Sequence, residues 1–190
     1  MALTVALAGD TMLGRSVADV ISASGPTGLF SSEVKDLTRS ADLFVLNLEC
    51  CISERGAPWP DPRKPFFFRA PPEAAETLLD LGVDCVTLAN NHALDFGVDA
   101  LVDTLQLLEE AGIAVAGAGL NREAARRPVL LEHGGFRLGV VGLTDHPCVP
   151  CPYCKPTIDI IAVSIKLTTS SSSSNRSFSK PSQSPLLLPW

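Results

Sequence analysis

Four side chains suited to binding or assisting a metal ion lie at the ends of three short apolar runs. They are Asp10, Glu49 and the adjacent pair Asn91 and His92. Carboxylate and amide oxygens with one imidazole suit Mg²⁺, Mn²⁺, iron or Zn²⁺ better than a metal that prefers thiolates. If the three runs are neighbouring strands, the pattern predicts a divalent metal site at Asp10, Glu49 and Asn91, with His92 beside it.

The elements that would bring these residues together are predicted from the alternation of strand and helix. Apolar runs at 4–9, 43–48 and 86–89 have strand character, and segments with helical spacing lie between them. Alternation from residue 4 to 116 predicts an α/β fold with a parallel sheet, followed by an antiparallel pair joined across the turn residues His133, Gly134 and Gly135. The carboxyl ends of parallel strands meet at one edge, which is where ligands bind in such sheets.

The polar residues that follow the third apolar run, 86–89, can also be explained by a purely structural role. Asn90 and Asn91 are typical turn residues, and Asp95 is suited to capping the following helix. For this run alone the two explanations are about equally favoured. The repetition of the pattern at three strand ends favours a site.

Four longer motifs occur within residues 4–144: GDTMLGR at 9–15, NLE at 47–49, ANNHALDFG at 89–97 and GAGLNREAARRP at 117–128. In these motifs the chain resembles the CapA family, which is named for capsular poly-γ-glutamate synthesis and is similar in fold to calcineurin-like metallophosphatases. The resemblance implies a metallophosphatase half-sandwich that is incomplete at its C-terminus.

The resemblance also implies a role for each candidate residue. Asp10 corresponds to the first metal-binding aspartate, Glu49 to the bridging carboxylate and Asn91 to the amide ligand. His92 corresponds to the imidazole that polarises the substrate or protonates the leaving group. The implied activity is metal-dependent hydrolysis or transfer on a phosphoester or a poly-γ-glutamate-type polyanion.

Two further polar residues are predicted to orient the metal-binding and catalytic groups. Asn47 precedes Glu49 by two positions, and Asp95 follows His92 by three. Residues that contact ligands from behind commonly fix their orientation. We therefore predict that Asn47 orients Glu49 and that Asp95 orients His92.

A proline-rich loop at 52–72 carries four cations around Phe66–Phe68. One interpretation is a lid whose cations meet a polyanionic substrate, with Arg69 as the candidate substrate-binding residue. The favoured interpretation is a solvated loop without regular structure, whose phenylalanines pack under the sheet edge.

An alternative function for the chain is a non-catalytic polyanion-binding or regulatory variant. It would bind through Arg63, Lys64, Arg69 and the N-terminus of a helix predicted to begin at Met12.

Composition narrows the function classes. The 190 residues carry a net charge of −6, which argues against general nucleic-acid binding. No apolar run approaches the roughly 20 residues that span a bilayer, and no signal peptide is recognised, so a cytoplasmic location is expected.

Cys50, Cys51 and Cys85 are predicted to be reduced packing residues, with a catalytic thiol at Cys50 or Cys51 as the less favoured alternative.

The character of the sequence changes near residue 147. We predict a CapA-like domain over 1–146 and an unrelated, disordered tail rich in Cys, Pro and Ser over 147–190. Family members continue with His-Trp-Gly and Gly-His-His-Pro-His segments that do not occur here. The expectation is a truncated form with impaired activity. Asp145 and His146 are weaker site candidates, and a zinc site of His146 with the cysteines of 147–156 is disfavoured.

Overall fold

The computed structural model describes residues 2–144 and the backbone of residues 168–169. Predictions for Asp145, His146 and the cysteines of 147–156 lie outside this part of the chain. The described elements, in chain order, are β1 (Val5–Thr11), α1 (Ser16–Ser24), α2 (Ser32–Arg39), β2 (Leu43–Leu48), β3 (Cys51–Ile52), β4 (Arg69–Ala70), α3 (Ala74–Asp80), β5 (Cys85–Thr87), α4 (Gly97–Glu110), β6 (Ala114–Ala116), α5 (Arg122–Arg126), β7 (Val129–His133), β8 (Phe136–Val140) and β9 (Thr168–Thr169).

The main sheet is parallel, as predicted. Its strands lie in the order β1-β2-β5-β6, and every neighbouring pair is parallel. Strands β7 and β8 form the predicted antiparallel pair. The α/β half-sandwich expected from the sequence is therefore confirmed.

Alternate residues of the sheet pack into two separate cores. Leu46 and Val86 belong to the core formed with α1, α3 and α4. Val45 and Cys85 belong to a second core, which includes Leu138 of β8. Because successive side chains of a strand point to opposite faces, helices cover one face of the sheet and the hairpin covers the other.

The start of α1 differs from the sequence prediction. Strand β1 continues to Thr11, and the helix expected from Met12 begins at Ser16. A Cβ on Gly14 would lie 2.9 Å from backbone atoms of Arg69, so this close approach requires glycine. The helix N-terminus therefore does not follow Asp10 directly.

The hairpin also refines the prediction for His133. Gly134 and Gly135 both have positive φ, 55° and 83°, as a two-residue turn of the I′ type requires. His133 is the last residue of β7, and its Nε2 lies 3.1 Å from Asp42 Oδ1. It closes the hairpin against the start of β2 rather than only turning the chain.

The backbone of Thr168–Thr169 pairs antiparallel with Phe136 and Arg137 of β8. These two residues lie within the segment that the sequence predicts to be disordered. The division of the chain at residue 146 stays a prediction.

Among the described helices, none is both long enough and apolar enough to cross a membrane.

Candidate metal centre

A β-bulge sets the position of Asp10 at the carboxyl edge of the sheet. Ala8 pairs with Leu46, but Asp10 pairs with Asn47, so Gly9 is an extra residue in β1. Since side chains alternate between faces, this insertion brings Asp10 opposite Asn47 rather than Leu48. Asn47 Nδ2 donates a hydrogen bond of 2.7 Å to Asp10 Oδ1.

Hydrogen bonds continue from Asn47 to the tip of β5 through Asn90. Asn90 Nδ2 donates to Asn47 Oδ1 at 3.1 Å and to the Leu48 carbonyl at 2.9 Å. Asn90 Oδ1 accepts from the backbone N–H of His92 at 2.9 Å. Asn90 therefore links the ends of β2 and β5, a role that neither sequence-based explanation of this run gave to it. Its place directly after a buried strand marks the position, but the sequence does not distinguish Asn90 from Asn91 there.

His92 and Asp95 form a buried pair. His92 Nδ1 lies 2.7 Å from Asp95 Oδ2, and the Asp95 side chain is fully buried. An ionised carboxylate only accepts hydrogen bonds, so Nδ1 carries the proton in this arrangement. The other ring nitrogen, Nε2, lies 4.0 Å from Glu49 Oε1, beyond direct hydrogen-bond distance. The Phe68 ring stacks on the imidazole with centroids 4.0 Å apart.

Glu49 lies in an environment that disfavours its negative charge. Burial raises the pKa of this carboxyl most strongly, and the charges of Asp10 and Asp95 raise it further, while His92 partly offsets them. Within residues 2–144, neither Asp10 nor Glu49 forms an ion pair with lysine or arginine. Two neighbouring carboxylates without such a counter-ion fit a bound cation.

The described side chains supply only part of a coordination sphere. In residues 2–144, no three His, Cys, Asp or Glu side chains are grouped closely enough to bind an ion by themselves. Amide oxygens, water or substrate would have to complete the set, as is usual for Mg²⁺ and related hard cations. The donor set of two carboxylates with nearby amides fits a hard divalent ion rather than a thiolate-bound one.

Asn91, predicted as the amide ligand, lies at the surface of this cluster. The residue is exposed, and its backbone carbonyl accepts a 2.8 Å hydrogen bond from Lys64 Nζ. In the described chain, its side-chain amide makes no hydrogen bond to Asp10, Glu49 or Asn47. The two adjacent asparagines thus differ: the Asn90 amide is hydrogen-bonded to Asn47 and Leu48, whereas Asn91 is exposed.

The cations of the proline-rich loop are largely engaged within the chain. Arg63 pairs with Asp61 at 3.0 Å, and Lys64 pairs with Asp95 at 2.7 Å. Arg69 lies in the short strand β4, which pairs with β3 although the prolines predicted no regular structure. Its guanidinium carbon lies 4.1 Å from the Phe96 ring centroid. The substrate-binding role of Arg69 stays a prediction.

Cys50 and Cys51 follow Glu49 but lack the properties of catalytic thiols. Both are free and fully buried, and burial raises the pKa of each thiol to about 12. A thiol is nucleophilic only as the thiolate, which these pKa values leave scarce near neutral pH. The prediction of reduced packing residues is confirmed for Cys50, Cys51 and Cys85.

We expect the native protein to resist alkylation at these positions. Iodoacetamide at pH 8 should leave Cys50, Cys51 and Cys85 unmodified, because burial keeps them protonated and out of reach. The unfolded protein in guanidinium should be alkylated at all three. Peptide mass spectrometry measures both, and rapid native modification of Cys50 or Cys51 would contradict this expectation.

Comparison with known proteins identifies the family. The family model described as bacterial capsule synthesis protein PGA_cap matches residues 4–159, which extends beyond residue 146. A probable polyglutamine synthesis accessory protein of Mycobacterium tuberculosis is 33% identical over 172 residues, covering 74% of this chain and 45% of the relative. The capsule biosynthesis protein CapA of Bacillus anthracis is 28% identical, covering 75% of this chain and 35% of its own.

The PGA biosynthesis protein CapA of Bacillus subtilis is 26% identical, covering 75% of this chain and 37% of the relative. The chain thus spans less than half the length of these curated relatives. The family model nevertheless matches most residues of this chain, including Asp10, Asn47, Glu49 and the segment 90–95 at the carboxyl edge of the sheet. The chain therefore belongs to the family of bacterial capsule synthesis proteins to which CapA belongs.

Proposed function

We propose that this chain forms part of a divalent metal centre for hydrolysis or transfer on an anionic substrate. Asp10, Glu49 and Asn91 are the proposed ligands. The observation that supports the proposal most is the Glu49 carboxyl, whose pKa is raised by burial and then by the charge of Asp10, with no lysine or arginine counter-ion for either carboxylate among the described residues. A bound cation would favour both ionised carboxylates.

A divalent ion bound here would supply a polarised water as a nucleophile near neutral pH. The chain itself positions the group that handles the proton. Asp95 accepts the hydrogen bond of Nδ1–H, so the acid form of His92 is the imidazolium, whose second proton lies on Nε2, the ring nitrogen nearer Glu49. The buried pair therefore suits His92 as the general acid for the leaving group.

The proposed substrate is a phosphoester or a γ-linked polyglutamate. Relatives named for capsule and PGA biosynthesis support the second possibility. Arg15 is the exposed cation that fits such a polyanion: its guanidinium carbon lies 5.8 Å from the Phe66 ring centroid, and no carboxylate of the described chain pairs with it. Phe66 in turn stacks near Phe68, which packs on His92.

The alternative function, polyanion binding without catalysis, has less support. Besides the N-terminus of α1, it depends on Arg63, Lys64 and Arg69, and each of these cations contacts a partner within the chain. Binding a polyanion through them would require breaking those contacts, including an ion pair to a fully buried carboxylate. The metal-centre proposal breaks no ion pair with lysine or arginine, since neither Asp10 nor Glu49 has such a partner among the described residues.

Metal binding by an Asp10→Asn variant tests the proposed centre. Asparagine keeps the acceptor for Asn47 Nδ2 but removes the charge, so affinity for Mn²⁺ should fall at least about tenfold. Asp19→Asn is the matched control, because Asp19 is an exposed acid in the first turn of α1. Equilibrium dialysis of the full chain should show about one bound Mn²⁺ for the wild type and the control.

Two results would overturn the proposal. One is a wild-type chain that binds no divalent ion; the other is Mn²⁺ affinity that is the same in Asp10→Asn and in the wild type. Polyglutamate binding that persists in excess chelator would then favour the non-catalytic alternative.

A further inference from the structure

Asp95 is a fully buried carboxylate held by groups from two parts of the chain. His92 Nδ1 lies 2.7 Å from its Oδ2, and the backbone N–H of Phe68 donates to the same oxygen at 2.6 Å. Lys64 Nζ lies 2.7 Å from Oδ1, in the geometry of an ion pair rather than of a hydrogen bond. Burying a carboxylate without a counter-charge is costly, so the ammonium group compensates the charge that binds His92.

Lys64 contacts the chain on both sides of His92. Its ammonium also donates to the backbone carbonyl of Asn91 at 2.8 Å, so one side chain joins Asn91 to Asp95. The lysine side chain is only 18% exposed. The turn that carries His92 is therefore fixed at both ends by a residue of the proline-rich loop.

The loop has two more attachments to the same turn. The Trp59 backbone N–H donates to the Asp95 carbonyl at 2.8 Å, and the Phe68 ring stacks on His92. These contacts join the loop to the His92 turn at Trp59, Lys64 and Phe68. Such attachment is typical of a support for the imidazole and not of a lid that opens over it.

We propose that Lys64 is a positioning residue for His92 and not a substrate-binding cation. The expected effect of Lys64 on kcat rests on the proposed function. Its effect on the orientation of His92 does not. Without the ammonium, the buried Asp95 carboxylate would have to turn toward other donors, and its alignment with Nδ1–H of His92 would be lost. The Asn91 carbonyl would lose its donor at the same time.

Lys35 provides a closely matched control. Its Nζ lies 2.7 Å from Asp80 Oδ2 and donates to the Thr27 carbonyl at 2.6 Å, and its side chain is 16% exposed. Each lysine thus joins one carboxylate to one backbone carbonyl at similar burial. Lys35 contacts α3 and the loop before α2, and it touches none of the residues of the metal centre.

The first experiment uses the metal-free full chain. Histidine labelled with ¹⁵N reports which ring nitrogen of His92 carries the proton, and the His92→Gln variant assigns the signal. The wild type, Lys64→Arg and Lys35→Met should show the Nδ1–H form predominantly, because an acceptor carboxylate faces Nδ1. Lys64→Met should show a shift toward averaged tautomers.

The second experiment measures hydrolysis of a phosphodiester with an alkoxide leaving group in the presence of Mn²⁺, because such a leaving group requires protonation. Lys64→Met should lower kcat by about 10- to 100-fold while KM changes little, as expected when support behind a reacting group is removed. Lys64→Arg should recover most of kcat, and Lys35→Met should keep the wild-type value. A substrate-binding lysine would instead raise KM with kcat preserved.

The results separate this inference from the proposed function. An unchanged His92 signal in Lys64→Met, or equal changes in Lys64→Met and Lys35→Met, would overturn the positioning role. A wild type without hydrolysis contradicts the proposed function and leaves the spectroscopic result to decide on Lys64. If Lys64→Met does not fold, Lys64→Gln, which retains a donor, should show a smaller shift in the same direction, and no shift would overturn the role.

Discussion

Replacing His92 by glutamine is expected to lower kcat for hydrolysis of a phosphodiester with an alkoxide leaving group by about 10²- to 10⁴-fold, the usual contribution of a general acid or base. Glutamine can still donate to Asp95 but carries no group that releases a proton near neutral pH. KM should change little, because the proposed role of His92 is in proton transfer. Steady-state kinetics of the full chain with saturating Mn²⁺ measures both constants.

His133→Gln is the control for this prediction. His133 is 49% exposed and pairs with Asp42 at the other end of the sheet, so its replacement should leave kcat unchanged. Mn²⁺ binding measured by dialysis should persist in His92→Gln, which separates loss of proton transfer from loss of the metal. A variant that keeps more than about a tenth of the wild-type kcat would exclude His92 as the general acid.

The largest effect on stability is expected for Gly56→Ala. Gly56 has a φ of +85°, and a Cβ built on it would lie 2.0 Å from the Phe96 carbonyl oxygen. The left-handed backbone costs a residue with a side chain about 1–2 kcal/mol. The contact with rigid backbone adds to this, so the free energy of unfolding should fall by about 3 kcal/mol or more.

Gly112→Ala separates the two contributions. Gly112 also has a positive φ, +74°, but a Cβ there has no neighbour within 4 Å, so only the backbone cost applies. Chemical denaturation of both variants gives the comparison. Equal losses would mean that the approach of Gly56 to Phe96 adds nothing. A larger loss for Gly56→Ala would show that this contact limits how closely the loop packs beside Asp95.

Much of the fold was predictable because its signals are local. Apolar runs of strand length alternate with helical spacing, and polar residues follow the strands that end at the site. The convergence of Asp10 and the His92 turn then follows from the rule that parallel strands share a carboxyl edge. The pairing of His92 with Asp95 was also accessible, since both lie in one short motif.

The role of Asn90 was not predictable from the same signals. Two adjacent asparagines look equivalent in sequence, and the resemblance assigned the ligand role to Asn91. The structure binds Asn90 to Asn47 and Leu48, which are 43 and 42 positions away. Which of the two amides points inward depends on how β5 ends against β2, and no local pattern encodes that orientation.

The bulge at Gly9 and the contacts of the proline-rich loop with the His92 turn were likewise not predictable from the sequence. The residue types at the strand ends could be identified from the chain's local pattern, because strand burial and alternation are visible in consecutive residues. The folded coordinates were needed to identify Gly9 as the extra residue of β1 and Lys64, among four loop cations, as the partner of Asp95. Strand register and long-range ion pairs depend on packing between distant segments, where many partners are chemically equivalent and geometry selects one.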